Sequence, residues 1–242
     1  MKRWQYESAP DLDQSLVERL RHFPRQPDML VYGLRSVAAV IIRAWLRCYH
    51  RLEIIGRDHL PAEGSFVMVA NHSSHLDTLC LLAALPLAKL HRAFPAAAAD
   101  YFFKSVHRTF VATVIVNALP FARQVNIRQS LSLCQTLLEN SGNILIVFPE
   151  GTRSESGQIE KFRPGVGALV ANRNVAVLPC YLDGAFRALP KGSIWPRPRK
   201  VRLIIGAPRN YASIVNSRDP ANAVAVELQE TVRSLGQRYG AN

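Results

Sequence analysis

Acidic residues are scarce in this chain. Its 242 residues hold 18 Asp and Glu against 30 Lys and Arg, a formal charge of +12. An excess of that size calls for an anionic partner: nucleic acid, an acidic lipid surface or a phosphorylated substrate. Cysteine is scarce too. Cys48, Cys80, Cys134 and Cys180 stand far apart with no C-x-x-C pair, which excludes a disulfide framework or a zinc-site spacing and predicts reduced, mostly buried thiols. Only 13 Gly and 15 Pro are spread along a sequence that is 48% apolar, so disordered, collagen-like and low-complexity chains are excluded. The length suits one large domain or two small ones. Behind Lys2 and Arg3 no apolar run follows, so a secretory leader of the usual form is not expected and the chemistry is placed in the cytosol.

Long apolar runs also look absent. A spanning helix needs 18 or more residues with few charges, and Met29 to Tyr49 is interrupted by Arg35, Arg43 and Arg47. At about 100° per residue these arginines share one side, while Leu30, Leu34, Val37, Ile41 and Trp45 recur at spacings of three and four. The pattern predicts an amphipathic helix. Either its apolar stripe packs on the protein's own core, or the helix lies in a lipid headgroup layer with its arginines toward the polar side and Trp45 at the boundary. A second basic and aromatic stretch, Arg187 to Arg202, gathers Lys191, Arg197, Arg199, Lys200 and Arg202 around Trp195. Pro190, Pro196 and Pro198 forbid regular helix there.

Short β-rich runs alternate with helical patterns. Leu52–Ile55, Phe66–Ala70, Val111–Val116, Ile144–Phe148, Val175–Leu182 and Val201–Ile205 read as strands, several apolar throughout, as strands covered on both faces should be. Helical periods run from Asn126 to Asn140 and from Asp219-Pro220 to the end. The expectation is an α/β fold: a layered mixed sheet flanked by helices, spanning residues 51–242, with residues 1–50 as an appended helical, membrane-associating element.

Two polar segments follow apolar strands. Asn71-His72-Ser73-Ser74-His75-Leu76-Asp77 could cap a helix, since Asn71, Ser73 or Ser74 accepts free amides and Asp77 suits a first turn. It could hold a metal through His72, His75 and Asp77, but no further ligand cluster follows. It could also pair His72, a general base near neutral pH, with Asp77 fixing its tautomer. No serine or cysteine nucleophile accompanies that pair, so the hydroxyl it activates could belong to a substrate. In Phe148-Pro149-Glu150-Gly151-Thr152-Arg153-Ser154, Gly151 lets backbone approach a ligand, Thr152 and Ser154 offer hydroxyls, and Arg153 offers a planar fork for phosphate.

Taken together, Asn71-His72-x-x-x-x-Asp77 and Phe148-Pro149-Glu150-Gly151-Thr152-Arg153 resemble the glycerophospholipid acyltransferase family, which includes the 1-acylglycerol-3-phosphate acyltransferases. The resemblance covers roughly residues 50 to 210. Asn117 to Arg123 is similar to the family's second block, although Ala122 stands where Asp often precedes the arginine. Val177 to Tyr181 is similar to the fourth, and Phe162-Arg163-Pro164-Gly165 to the stretch after the third. Lys104 falls where such enzymes often keep a lysine.

What the resemblance implies is acyl transfer from acyl-CoA or acyl carrier protein to a lysophospholipid hydroxyl. His72 and Asp77 are then catalytic, and Arg123, Glu150, Gly151, Thr152 and Arg153 bind substrate, with backbone amides near Gly151 as oxyanion donors. Neither metal nor cofactor is expected, because the thioester is already activated. The implied setting is the cytoplasmic face of an anionic membrane, held peripherally or monotopically. This favours the interfacial reading of residues 29–49. Three rivals stand beside it: acylation of another lyso-lipid such as a lyso-aminolipid, a non-catalytic membrane-binding module, and a nucleic-acid-binding protein. The last lacks a reader motif or interleaved aromatic and basic face.

Overall fold

A computed structural model describes residues 29–98, 111–121, 127–213 and 218–239. Arg123 and Lys104 lie outside the described residues, as does Ala122. Helix α1 (Met29–Tyr49) leads into strands β1 (Glu53–Ile55) and β2 (Phe66–Ala70), helix α2 (Leu76–Ala84) and strands β3 (Ala93–Ala98) and β4 (Leu119–Phe121). Helix α3 (Ile127–Glu139), strand β5 (Ile144–Val147), helix α4 (Gly165–Val170), strand β6 (Ala176–Asp183) and the short helix α5 (Ala185–Ala188) follow. Strands β7 (Arg202–Ile205) and β8 (Arg209–Asn210) and helix α6 (Pro220–Tyr239) close the described chain.

The strands join in the order β1-β7-β6-β2-β5-β3-β4, with β8 on β6. Neighbours from β6 through β2, β5 and β3 to β4 are parallel. Strand β7 reverses direction against β6, pairing Asp183 with Arg202, and β1 follows β7 in parallel. The carboxyl ends of five strands therefore share one edge with the start of β7 and β1.

The apolar runs make the centre of this sheet because its inner strands are buried on both faces. Along β2, Phe66, Met68 and Ala70 join a core with Leu76, Cys80 and Leu81 of α2. The alternate residues Val67 and Val69 join Val166 and Leu169 of α4 and Val224, Leu228 and Val232 of α6. Three of the four cysteines are buried in these cores and Cys48 is exposed. Burial pushes the Cys134 thiol up to about 12 and those of Cys80 and Cys180 upward as well, so the buried thiols are inert.

Two sequence expectations need correction. Val111–Val116 is not a strand: Val111–Ile115 forms a π turn. Arg35 donates to the carbonyls of Thr113 and Val114 at 2.9 Å each, so those groups leave no ladder to build. The second concerns α1. By length and composition it is apolar enough to cross a membrane, with mean hydropathy 1.5, because the charges it holds are few rather than absent.

Apart from Trp45, its apolar stripe does not pack on the protein's own core. Arg35 is buried against the π turn, and burial pulls its guanidinium down to about 10. Arg43 donates to the Leu82 and Leu85 carbonyls at the end of α2. These arginines face the protein. Met29, Leu30, Leu34, Val37, Val40 and Ile41 are the exposed side.

Candidate active site

The carboxyl ends of β2 and β5 lie side by side, with Val69 paired to Val147. The two polar segments therefore emerge together. Beyond β2, Asn71 bridges to β6: its Oδ1 accepts the Leu182 amide at 2.8 Å and its Nδ2 donates to the Leu182 carbonyl at 3.1 Å. Asn71 is thus a clamp between strands and not a helix cap.

Next, Asp77 in the first turn of α2 turns its side chain back. One oxygen, Oδ2, accepts the amides of Ser73 at 2.7 Å and Ser74 at 2.8 Å, and meets His72 Nδ1 at 2.9 Å. An oxygen that already receives two N–H groups acts as an acceptor only, so Nδ1 of His72 holds its proton and donates. The lone pair is then on Nε2. The imidazole stacks on Phe148, with ring centres 4.0 Å apart and planes 18° from parallel, and stays partly exposed. Asp77 is fully buried. Such an arrangement fixes the ring's orientation and leaves Nε2 free of the Asp77 contact.

The second segment is stitched to the first through backbone. Ser154 N donates to the His72 carbonyl at 2.8 Å. Glu150 is buried, with Oε1 accepting the His72 amide at 2.8 Å and Oε2 the Glu160 amide at 3.3 Å. Burial raises its carboxyl to about 7 against the opposing effect of those amides. Both oxygens of Glu150 accept backbone amides, so this side chain holds the His72 turn in place.

Gly151 adopts φ 75°, the left-handed conformation that glycine accepts at no steric cost. Its amide donates to the Phe148 carbonyl at 3.1 Å, so it is not free for an oxyanion. Among the described residues the amides of Thr152 and Arg153 donate to no backbone carbonyl. Thr152 is exposed and Arg153 is half-buried beside the turn. Arg163 is placed by its amide, which donates to the Pro149 carbonyl at 3.0 Å. Its guanidinium lies across the glycine: a Cβ at Gly151 would stand 2.9 Å from Nε. The sequence marked Arg163 only through its neighbours. Phe148 was visible as part of the segment but not as the platform for the imidazole.

Among the described residues no group of three or more His, Cys, Asp or Glu side chains is arranged to hold a metal ion. On the other flank, a cleft of about 630 Å³ opens beside Ser73 between the 156–159 loop, the end of β6 and α6, with Arg187 and Arg233 in its wall.

Comparison with known proteins meets this geometry. The family model named Acyltransferase matches residues 51–183, more than half of the chain. The chain is 30% identical over 156 residues to the chloroplastic 1-acyl-sn-glycerol-3-phosphate acyltransferase of Arabidopsis thaliana, covering 60% of this chain and 39% of that protein. It is 29% identical over 190 residues to a 1-acyl-sn-glycerol-3-phosphate acyltransferase of Chlamydomonas reinhardtii, covering 76% and 52%. The chain thus spans about two fifths to one half of the length of these curated relatives. Among solved structures, the 1-acyl-sn-glycerophosphate acyltransferase of Thermotoga maritima superimposes with a TM-score of 0.67 over 93% of this chain and 88% of that one, at 21% identity. At that identity the likeness speaks for the fold. With the matched segment enclosing both the His72–Asp77 pair and the Glu150–Arg153 turn, the chain belongs to the glycerophospholipid acyltransferase family.

Proposed function

We propose that this protein transfers a fatty acyl group from acyl-CoA or acyl carrier protein to the free hydroxyl of a lysophospholipid, with 1-acylglycerol-3-phosphate as acceptor and phosphatidic acid as product. The observation that carries the reading is the His72 Nδ1 to Asp77 Oδ2 contact of 2.9 Å, made on an aspartate already fixed by two backbone amides. It leaves Nε2 as the base. In the proposed step Nε2 takes the hydroxyl proton as that oxygen attacks the thioester carbonyl, and Asp77 stabilises the imidazolium. The tetrahedral intermediate then collapses, the C–S bond breaks, and the imidazolium returns its proton to the departing sulfur.

General-base assistance supplies about 10²–10⁴-fold. Alignment of two bound substrates and stabilisation of the developing oxyanion must supply the rest. Arg153, with Arg123 from the resemblance, binds the acceptor phosphate as charge-assisted pairs. No metal or cofactor enters the scheme. The names of the relatives support this acceptor.

The exposed apolar side of α1 is proposed to rest in the cytoplasmic face of an anionic membrane, where the acceptor lies. Arg35 and Arg43, turned inward, fix which side of the helix meets lipid.

The test is a product analysis by mass spectrometry, with purified protein, a panel of acyl thioesters and several lyso-lipids. Phosphatidic acid should appear from the lysophosphatidate arm. His72→Ala should lower the rate by about 10³-fold or more with the circular dichroism spectrum unchanged. Product only from a different lyso-lipid would replace the acceptor, and turnover persisting in His72→Ala would remove the base.

A further inference from the structure

The segment between α5 and β7 ends in two bare apolar side chains: Ile194 is 84% exposed and Trp195 is 81% exposed. Isolated exposed side chains of this size need no explanation. This pair differs in how firmly it is held and in the charge around it.

The loop is built, not loose. At its start, the hydroxyl of Ser74, two residues from His72, donates to the Leu189 carbonyl at 2.8 Å. Ser193 N donates to the Pro190 carbonyl at 3.1 Å, and Arg197 N returns to the Ala188 carbonyl at 2.7 Å. The far side is tied to the end of α1: Tyr49 Oη donates to the Pro196 carbonyl at 3.0 Å, and His50 Nδ1 lies 3.2 Å from the Arg199 carbonyl. Pro190, Pro196 and Pro198 stiffen what lies between. A closed, tied loop that holds an isoleucine and an indole out in water is built to present them.

The surroundings are cationic. No acidic residue occurs between Asp183 and Asp219. Lys191 and Lys200 are balanced by Glu155 and Glu53 at 2.7 Å each. Arg197 and Arg199 on the loop, and Arg47 and Arg51 near the end of α1, are exposed, with no carboxylate partner recorded among the described residues. An apolar tip with an indole inside a collar of arginines fits the headgroup boundary of an anionic bilayer, where tryptophan is favoured and cations near the surface are attracted.

We propose that Ile194 and Trp195 form a second lipid-contacting point, distinct from α1, which seats the His72 turn against an anionic bilayer through the Ser74–Leu189 bond. The inference rests on the membrane reading of α1 and deepens it. With α1 alone the protein could rock about the helix axis. A second point fixes the tilt.

The experiment uses the full chain and vesicles of phosphatidylcholine with phosphatidylglycerol, some with brominated acyl chains. Trp4→Phe with Trp45→Phe leaves Trp195 as the sole indole; if that variant does not fold, the wild type minus Trp195→Phe difference spectrum reads the same signal. On binding, Trp195 emission should shift to shorter wavelength and be quenched by bromine. Ile194→Ser with Trp195→Ser should weaken vesicle binding by about tenfold while turnover of a short-chain, monomeric acceptor stays within about twofold. Sedimentation with vesicles while Trp195 remains unshifted and unquenched would overturn this inference and leave α1 standing. Failure of the wild type to sediment would overturn both. A concentration-dependent dimer that Trp195→Ser dissociates, with no lipid quenching, would assign the tip to a second copy and also overturn it.

Discussion

Asp77 Oδ2 gathers two amides and the imidazole within 2.9 Å, and Glu150 accepts two more amides, those of His72 and Glu160. Burying the Glu150 carboxylate costs the fold something when it ionises, because the surroundings solvate the charge less well than water does. Unfolded, a glutamate titrates near 4.5; in this fold Glu150 titrates at about 7. Between those values the native state keeps a proton that the unfolded chain has released, so stability falls as pH rises through that window and levels off above it. The loss is up to about 3 kcal/mol. It should appear as the wild type minus Glu150→Gln difference in urea midpoints between pH 4.5 and 7.5, and equal pH profiles would refute the assignment. Arg153 makes a different prediction. As a phosphate ligand, Arg153→Ala should raise the acceptor KM by about 10–100-fold and leave the donor KM nearly unchanged; initial-rate kinetics with each substrate varied would reveal the reverse pattern if Arg153 served the donor. His72, Asp77 and the Glu150–Arg153 turn were legible because each lies in one short stretch after an apolar run. The role of Glu150 was not, because its partners are backbone amides, which no side-chain pattern records. Arg123, expected to share the phosphate, lies outside the described residues.

At the level of elements, helix α4 meets α6 over Gly167, where an added Cβ would stand 1.8 Å from the Ala221 carbonyl oxygen. That contact is backbone against backbone, so nothing flexible can yield. Gly167→Ala should cost roughly 1–3 kcal/mol, toward the upper end, read from urea unfolding, and an unchanged midpoint would mean that the helices separate freely. The continuous apolar runs announced β2, β5, β6 and β7 to within a residue or two. The strand Ala93–Ala98 escaped notice because alanines favour helix, and its place is set by pairing with β5. Likewise, periodicity found the stripe on α1 and not its direction. That direction depends on carbonyls at Thr113 and Val114, almost 80 positions downstream, which attract Arg35 inward.

For the whole molecule, the charge of +12 and the exposed side of α1 predict two separable contributions to membrane binding. Raising salt from about 0.05 to about 0.5 M should weaken adhesion to anionic vesicles, since the Debye length falls below about 5 Å. Leu34→Ser with Val37→Ser and Ile41→Ser should weaken it by about 100-fold or more at every salt concentration. Vesicle sedimentation distinguishes the two, and a triple variant that binds like the wild type would refute the role of α1.

Where β7 turns back against β6, it brings the finish of α1 and the indole-bearing loop to the same rim of the sheet as the imidazole. Had that strand run with its neighbours, greasy anchors and chemistry would sit at opposite poles. Under the proposed reaction, that shared rim lets a one-tailed lipid acquire its second tail while still standing among its fellows.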